Sequence, residues 1–121
     1  MTDILLKRTY DPAAQDDGMR ILVDRLWPRG LSKEKFHYDQ WEKQLAPSAG
    51  LREWFHADPE GRARDFERRY EAELLQNPAF HAFVKEVENH PVVTFLYSSK
   101  DTAVNNAEVL RKAVLKAIQS A

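Results

Sequence analysis

Residues 92–97 read Val-Val-Thr-Phe-Leu-Tyr, and this stretch decides the fold. Its β-branched and aromatic side chains are the types that are enriched in strands. The run is apolar almost throughout and does not alternate between apolar and polar residues. A continuous apolar run is typical of a strand that is covered on both faces, as in α/β proteins. The stretch therefore predicts a buried strand in an α/β domain.

Two shorter apolar runs lie upstream, Ile4-Leu5-Leu6 and Ile21-Leu22-Val23. Helical patterns fill most of the chain between the second run and residues 92–97, so we expect a parallel crossover there. The link between the first two runs fits either a parallel crossover or an antiparallel return, and we favour the parallel one. We predict one compact α/β domain over residues 1–121, without a linker. Its sheet is short and mainly parallel, with about three strands flanked by helices.

Capping residues and apolar stripes predict four helices. Ser48 begins a short first helix, and Asp58-Pro59 and Asn77-Pro78 each give an N-cap followed by a proline at the first helical position. Either Asp101 or Thr102 is expected to cap the last helix. The apolar stripe of that helix consists of Ala103, Ala107, Leu110, Val114 and Ile118.

The composition narrows the classes of protein. The chain has 121 residues, of which 43% are hydrophobic, so it can bury a core as a single domain. The formal net charge of -1 argues against a dedicated nucleic-acid binder, which usually is strongly basic. There are no cysteines, so disulfides and thiolate chemistry are excluded. Residues 1–8 do not resemble a signal peptide, and no apolar run approaches the roughly 20 residues of a membrane span. We expect a cytoplasmic protein without a membrane partner.

Basic residues follow each of the three predicted strands. Parallel sheets bind ligands beyond the carboxyl ends of their strands, so these positions are expected to converge. Arginine offers a planar fork of donors that matches phosphate or carboxylate, and the start of the last helix also favours an anion. Aromatic and hydroxyl side chains could complete such a pocket. The candidate ligand-binding residues are Arg8, Tyr10, Arg25, Trp27, Arg29, Ser98, Lys100 and Asn105.

A structural explanation of the same cluster stays open. Arg8 and Arg25 could instead pair with neighbouring carboxylates, namely Asp11, Asp24 or Asp101. Asp24 and Lys100 are the weak candidates for proton transfer, but a structural salt bridge with Arg25 explains Asp24 better. The catalytic residues therefore stay unknown.

Other known motifs are missing from the sequence. Ser98 and Ser99 lack a G-x-S-x-G elbow, and the four glycines stand too far apart to form a phosphate loop. The four histidines are scattered without metal-ligand spacing, so we expect surface or packing roles for them and no metal site. They are His37, His56, His81 and His90.

Residues 22–30, Leu-Val-Asp-Arg-Leu-Trp-Pro-Arg-Gly, form a dense and unusual string. The string resembles the YeaO-like branch of the bacterial domain-of-unknown-function family 488. The similarity covers essentially the whole chain in order. It continues through Lys7-Arg8-x-Tyr10-Asp11, Asp17-Gly18-x-Arg20, Trp41, Leu45-Ala46-Pro47-Ser48, Leu51-Arg52-x-Trp54-Phe55, Phe66-x-x-Arg69-Tyr70-x-x-Glu73-Leu74 and Lys100-Asp101 with Asn105-x-Ala107. The chain departs from the family pattern at residues 62–64 and at Ser98-Ser99.

The resemblance implies a fold and not an activity: a compact α/β domain with a short, largely parallel sheet. It also implies that the family's motif residues lie at the strand ends reached above. Those positions are Arg8, Tyr10, Asp24, Arg25, Trp27, Arg29, Lys100 and Asn105.

Three functions compete. The first is binding of a small anionic ligand that carries phosphate or carboxylate, by a binding protein or an enzyme. The second, not favoured, is a nucleic-acid-binding or regulatory module that uses residues 18–35, where five basic residues face two acidic ones. The third covers two possibilities: binding of a planar, haem-like cofactor, and binding of a protein. The protein would be bound through the aromatic loop 26–47. The sequence selects no cofactor, reaction or oligomeric state.

Overall fold

The computed structural model describes residues 2–120 and contains one parallel sheet of four strands. The strands are β1 (Asp3–Arg8), β2 (Met19–Leu22), β3 (Gln40–Trp41) and β4 (Val92–Tyr97). Their order in the sheet is β1-β4-β2-β3, and all neighbours are parallel. The α/β class and the parallel direction of the first two strands are therefore confirmed. The sheet has four strands where the sequence predicted about three.

Strand β4 lies inside the sheet, between β1 and β2. Ile4 of β1 pairs with Val93, and Ile21 of β2 pairs with Phe95. Val93, Phe95 and Leu96 have no exposed surface. The central position explains the apolar run, because side chains on both faces of this strand are covered.

The described chain contains four α-helices: α1 (Ala49–Ala57), α2 (Pro59–Gln76), α3 (Pro78–Glu88) and α4 (Asn106–Ser120). Two short 3-10 turns lie at Gln15–Asp17 and Lys43–Leu45. The predicted caps of the first three helices are confirmed. The side chains of Ser48, Asp58 and Asn77 accept hydrogen bonds from backbone N–H groups of the first turns. None of the helices described over residues 2–120 is long and apolar enough to cross a membrane.

The predicted start of the last helix is wrong. Helix α4 begins at Asn106, and Asn105 caps it by accepting a hydrogen bond from the Glu108 N–H at 2.9 Å. Asp101 instead accepts bonds from the N–H groups of Ala103 and Val104 within the preceding loop. Ala103 is exposed and does not belong to the apolar stripe.

The helices cover one face of the sheet and form the main core with it. Apolar side chains of all four helices pack in one cluster with Ile4, Ile21, Val93 and Phe95. Tyr70 of α2 is completely buried there, and its hydroxyl donates to the Leu45 carbonyl at 2.5 Å. This bond ties α2 to the segment that precedes α1.

Loops cover the opposite face. The loop between β2 and β3 places Trp27, Phe36 and Tyr38 in one cluster, which packs over Leu22 and Leu96. The Trp27 ring lies 5.4–5.6 Å from its aromatic neighbours, and its N–H donates to the Leu31 carbonyl at 2.6 Å. These aromatic residues form a small second core beneath the loop.

The crossover from β1 to β2 is anchored by a buried ion cluster. Asp17 pairs with Lys7 at 2.8 Å and with Arg20 at 2.5 Å, and both Asp17 and Arg20 are almost fully buried. Burial raises the pKa of Asp17, but hydrogen bonds from Lys7, the Ala14 N–H and Arg20 outweigh it and hold that pKa below its usual value. Arg20 is thus buried in an ion pair inside the domain. This basic residue of segment 18–35 is therefore not available to bind a nucleic-acid backbone.

Glycine is required at position 18, immediately before β2. Gly18 has a φ of +63°, and a Cβ placed there would lie 2.2 Å from the Val92 carbonyl oxygen. Any larger residue would push the crossover away from the start of β4.

Candidate functional site

A pocket of about 400 Å³ lies beyond the carboxyl ends of β2 and β4. One wall is the loop that follows β2, and another is the segment between β4 and α4. Helices α1 and α2 contribute the third wall through two aromatic side chains, Phe55 and Phe66, whose rings stack at 4.1 Å. The polar and charged side chains that line the pocket are Asp24, Arg25, Arg29, Arg52, His56, Ser98, Ser99, Asn105 and Asn106.

Asp24 joins the two strand-end walls. One carboxylate oxygen accepts from the Ser98 N–H at 2.8 Å, and the other accepts from the side-chain amide of Asn106 at 3.0 Å. Burial raises the pKa of Asp24, although the hydrogen bonds from Asn106 and Ser98 and the charge of Arg52 oppose the rise. No salt bridge joins Asp24 to Arg25 within residues 2–120, so the predicted pairing is wrong. The reason is that backbone and amide donors hold the carboxylate instead.

Arg25 connects the β2 loop with the segment before α1. Its Nε and Nη2 atoms donate to the Pro47 carbonyl at 3.3 and 3.2 Å. The side chain therefore lines the pocket and also holds Pro47 against it.

Arg29 and Arg52 lie on the same pocket and are both exposed. Within residues 2–120, neither guanidinium donates a hydrogen bond or forms an ion pair. Two sets of guanidinium donors on this pocket thus remain unused by the protein itself.

Arg8 and Lys100 are not among the residues that line the pocket. Arg8 donates from Nε to the Ser99 carbonyl at 2.9 Å and from Nη2 to the Ser98 carbonyl at 3.0 Å. Its guanidinium also lies 5.1 Å from the centre of the Tyr10 ring. Arg8 thus holds the segment after β4 without lining the pocket. In the described part of the chain it forms no salt bridge with Asp11, Asp24 or Asp101, the carboxylates that were expected to pair with it. Lys100 is exposed in the loop beyond that wall.

Four other candidate residues, Tyr10, Trp27, Ser98 and Asn105, line the pocket. The Tyr10 hydroxyl donates to the Arg29 carbonyl at 3.0 Å, and the Ser98 hydroxyl lies 3.1 Å from the Thr9 hydroxyl. Asn105 is buried, and it both caps α4 and donates to the Asp101 carbonyl at 3.0 Å. Its side chain is engaged in holding the helix start, so we assign it to the framework of the pocket.

The sequence reasoning missed Arg52 and His56. Both stand on α1 beside Phe55, and they follow each other at the i, i+4 spacing that places side chains on one helix face. That spacing was available in the sequence. The packing direction of α1 against the strand ends was not, and it brings the exposed residue His56 to the pocket.

Fold and site together define the class of protein: a parallel α/β domain with a basic pocket at the carboxyl ends of its strands. The chain belongs to the family described as the inactive DUF488-N3 subclade, whose model matches residues 3–121. This confirms the resemblance to the YeaO-like branch.

Curated relatives match most of the chain. It is 44% identical over 108 residues to the uncharacterized protein YeaO of Escherichia coli (strain K12), covering 89% of this chain and 93% of YeaO. It is 38% identical over 109 residues to the uncharacterized protein Rv3073c of Mycobacterium tuberculosis, covering 90% of this chain and 91% of Rv3073c. The same values hold for the uncharacterized protein Mb3100c of Mycobacterium bovis. No solved structure matches the chain significantly.

Proposed function

We propose that the domain binds a small anionic ligand, carrying phosphate or carboxylate, in the pocket at the carboxyl ends of β2 and β4. The proposal is one of binding without turnover, since the matching family is described as inactive. It places this binding in the bacterial cytoplasm, the compartment expected from the sequence.

The observation that carries the proposal is the pair of unused guanidinium groups, Arg29 and Arg52, on a pocket that Arg25 also lines. Even with Asp24 ionised, three guanidinium groups against one carboxylate leave the pocket with an excess of two positive charges. Bidentate hydrogen bonds from arginine to phosphate or carboxylate are shorter and stronger than neutral ones. An anion would give both side chains the partners that the protein does not provide.

The start of α4 supports the same ligand class. Within the described chain, the N–H groups of Asn106 and Ala107 donate no hydrogen bond, as is usual in a first helical turn. The positive end of the helix dipole adds to the field of the arginines. Asn105, which caps α4, and Asn106, its first residue, both line the pocket.

Neither of the two weak catalytic candidates, Asp24 and Lys100, is assigned to proton transfer in this proposal. Each oxygen of Asp24 already accepts a hydrogen bond, and Lys100 does not line the pocket. We therefore assign Asp24 to the framework and to ligand recognition.

Thermal unfolding with added anions tests the proposal. The probes are inorganic phosphate, pyrophosphate and citrate, each added to the wild type and to the double variant Arg29→Gln/Arg52→Gln. At 100 times its Kd, a bound anion stabilises the native state by about 2.7 kcal/mol. Arg64→Gln serves as the control, because Arg64 is exposed on α2 and does not line the pocket.

We expect stabilisation of the wild type and of Arg64→Gln, and its loss in the double variant. Equal stabilisation of all three proteins would show that the anion binds elsewhere. No stabilisation of the wild type by any of the three anions would contradict the proposal.

A further inference from the structure

We infer that Asp24 makes the pocket selective for a hydroxylated phosphate ester, a sugar phosphate or a nucleotide, over phosphates that lack hydroxyl groups. The inference rests on the proposed function and adds the chemistry of the part of the ligand that the arginines do not bind.

The Asp24 carboxylate is held in a fixed position. The Ser98 N–H and the Asn106 amide each hold one oxygen, and Asn106 is itself held by a second bond to the Val23 carbonyl at 3.3 Å. An ionised carboxylate has about four lone-pair sites, so both oxygens can accept again. A rigid acceptor with spare capacity therefore lines the pocket.

The charges around Asp24 favour a neutral hydroxyl group as its partner. A second anionic group beside Asp24 would meet a like charge, which disfavours both ionised forms. An ammonium group there would meet Arg52, whose positive charge acts on Asp24. A hydroxyl group avoids both conflicts and donates directly to the carboxylate. Hydrogen bonds of the O–H···O⁻ type are short and strong.

The size and the apolar lining of the pocket suit a ligand larger than a phosphate ion. Its volume of about 400 Å³ lies within the range of small-molecule sites and leaves room beyond a single phosphate group. Phe55, Phe66 and Trp27 add apolar surface to a lining that also holds the exposed arginines and the half-buried Asp24. This arrangement suits a carbon skeleton with a phosphate at one end and hydroxyl groups along its length.

Titration calorimetry on the full chain tests the inference with four probes. They are inorganic phosphate, ribose 5-phosphate, pentyl phosphate and adenosine 5′-monophosphate. Pentyl phosphate has the same number of carbons as ribose 5-phosphate and no free hydroxyl group. We expect ribose 5-phosphate to bind at least about tenfold more tightly than pentyl phosphate, since a hydrogen bond to a charged acceptor contributes about 1.5–3 kcal/mol. Tighter binding of the nucleotide than of ribose 5-phosphate would identify the nucleotide class, and the reverse order would identify the sugar phosphates.

The variant Asp24→Asn assigns the selectivity to Asp24. It should bind ribose 5-phosphate and pentyl phosphate with affinities within about threefold of each other, while its affinity for inorganic phosphate is equal to or above that of the wild type. Retained selectivity in a folded variant would overturn the inference. Equal binding of ribose 5-phosphate and pentyl phosphate by the wild type would also overturn it, and this comparison needs no variant to fold.

The two proposals fail in different ways. If none of the four probes binds the wild type, the anion pocket itself is refuted. If phosphates bind without any preference for hydroxyl groups, the anion pocket stands and the role of Asp24 is refuted.

Discussion

Replacing Tyr70 with phenylalanine should destabilise the domain out of proportion to the single atom removed. Tyr70 is completely buried, and its hydroxyl donates to the Leu45 carbonyl. That carbonyl immediately precedes Ala46 and Pro47, which line the pocket. The change leaves the ring in place and removes the donor from a buried acceptor.

The size of the destabilisation depends on whether the Leu45 carbonyl finds another hydrogen-bond donor. Leu45 itself has no exposed surface, so solvent cannot easily replace the lost donor. Leaving a buried polar group without a partner costs about 1–3 kcal/mol, more than the net worth of an ordinary hydrogen bond. For a domain of this size, about 2 kcal/mol corresponds to a fall in Tm of roughly 5–12 °C.

The pH dependence gives the same prediction a second test. Burial raises the pKa of Tyr70, while carboxylates at Asp24 and Glu73 add to the rise. A pKa that is higher in the folded than in the unfolded state means that ionisation opposes folding. The advantage of the wild type over Tyr70→Phe is therefore fully present below the unfolded pKa of about 10 and shrinks as the pH rises above it.

Urea unfolding at pH 7 and at pH 10–11 measures both effects, with Tyr10→Phe as the matched control. Tyr10 is 45% exposed and its hydroxyl donates to the Arg29 carbonyl, so water can replace that bond. We expect the control to change the free energy of unfolding by less than about 0.5 kcal/mol. A Tyr70→Phe variant as stable as the control at pH 7 would refute the reasoning about the buried carbonyl.

Two further predictions concern the crossover and the pocket. Gly18→Ala should destabilise the domain by at least about 2 kcal/mol, because a Cβ would meet the Val92 carbonyl in a backbone conformation with positive φ. The control in the same urea titration is Gly50→Ala, at a position with open space. Similar free energies of unfolding for the two variants would contradict the close approach at Gly18. Asp24→Asn should become more stable relative to the wild type as the pH rises from about 4 to 7, because the raised pKa of Asp24 makes its ionisation oppose folding. If the difference in the free energy of unfolding between the two proteins does not change with pH, this prediction is refuted.

The sequence predicted those parts of the fold that local chemistry decides. The β-branched run at residues 92–97 and the capping residues Ser48, Asp58 and Asn77 carry their signals within a few positions. Strand β3 was missed because it has two residues and no apolar run, and its existence depends on pairing with Ile21 and Leu22. The start of α4 was misplaced because Asp101 and Asn105 both carry the capping chemistry of a helix start, and Asp101 uses it in a loop.

The site was predictable only as far as the strand ends define it. Arg25, Trp27 and Arg29 follow β2 directly, and the rule for parallel sheets places them at the pocket. The same rule cannot say that Arg8 turns towards the carbonyls of Ser98 and Ser99. It also cannot find a residue such as Arg52, which reaches the pocket through the packing of a helix.

The position of the pocket follows from how the chain leaves two neighbouring strands. After β2 the chain turns to the loop-covered face, where Trp27 and Phe36 pack over Leu22. After β4 it turns to the opposite face, where α4 packs on the main core. Segments that leave adjacent parallel strands on opposite faces open a crevice between them, which is where ligands bind in such sheets.

Asp24 stands at the beginning of one of these diverging segments and accepts a hydrogen bond from Ser98, the first residue of the other. The half-buried carboxylate thus joins the two walls of the crevice, and the exposed residues Arg25, Arg29 and Arg52 line the same pocket. A carboxylate that only held the two walls together could make the same hydrogen bonds without lining the pocket. Because this carboxylate lines the same pocket as the exposed arginines, the inferred binding mode has a direction: the anionic end of a ligand lies at the arginines and its hydrogen-bond donors lie at Asp24.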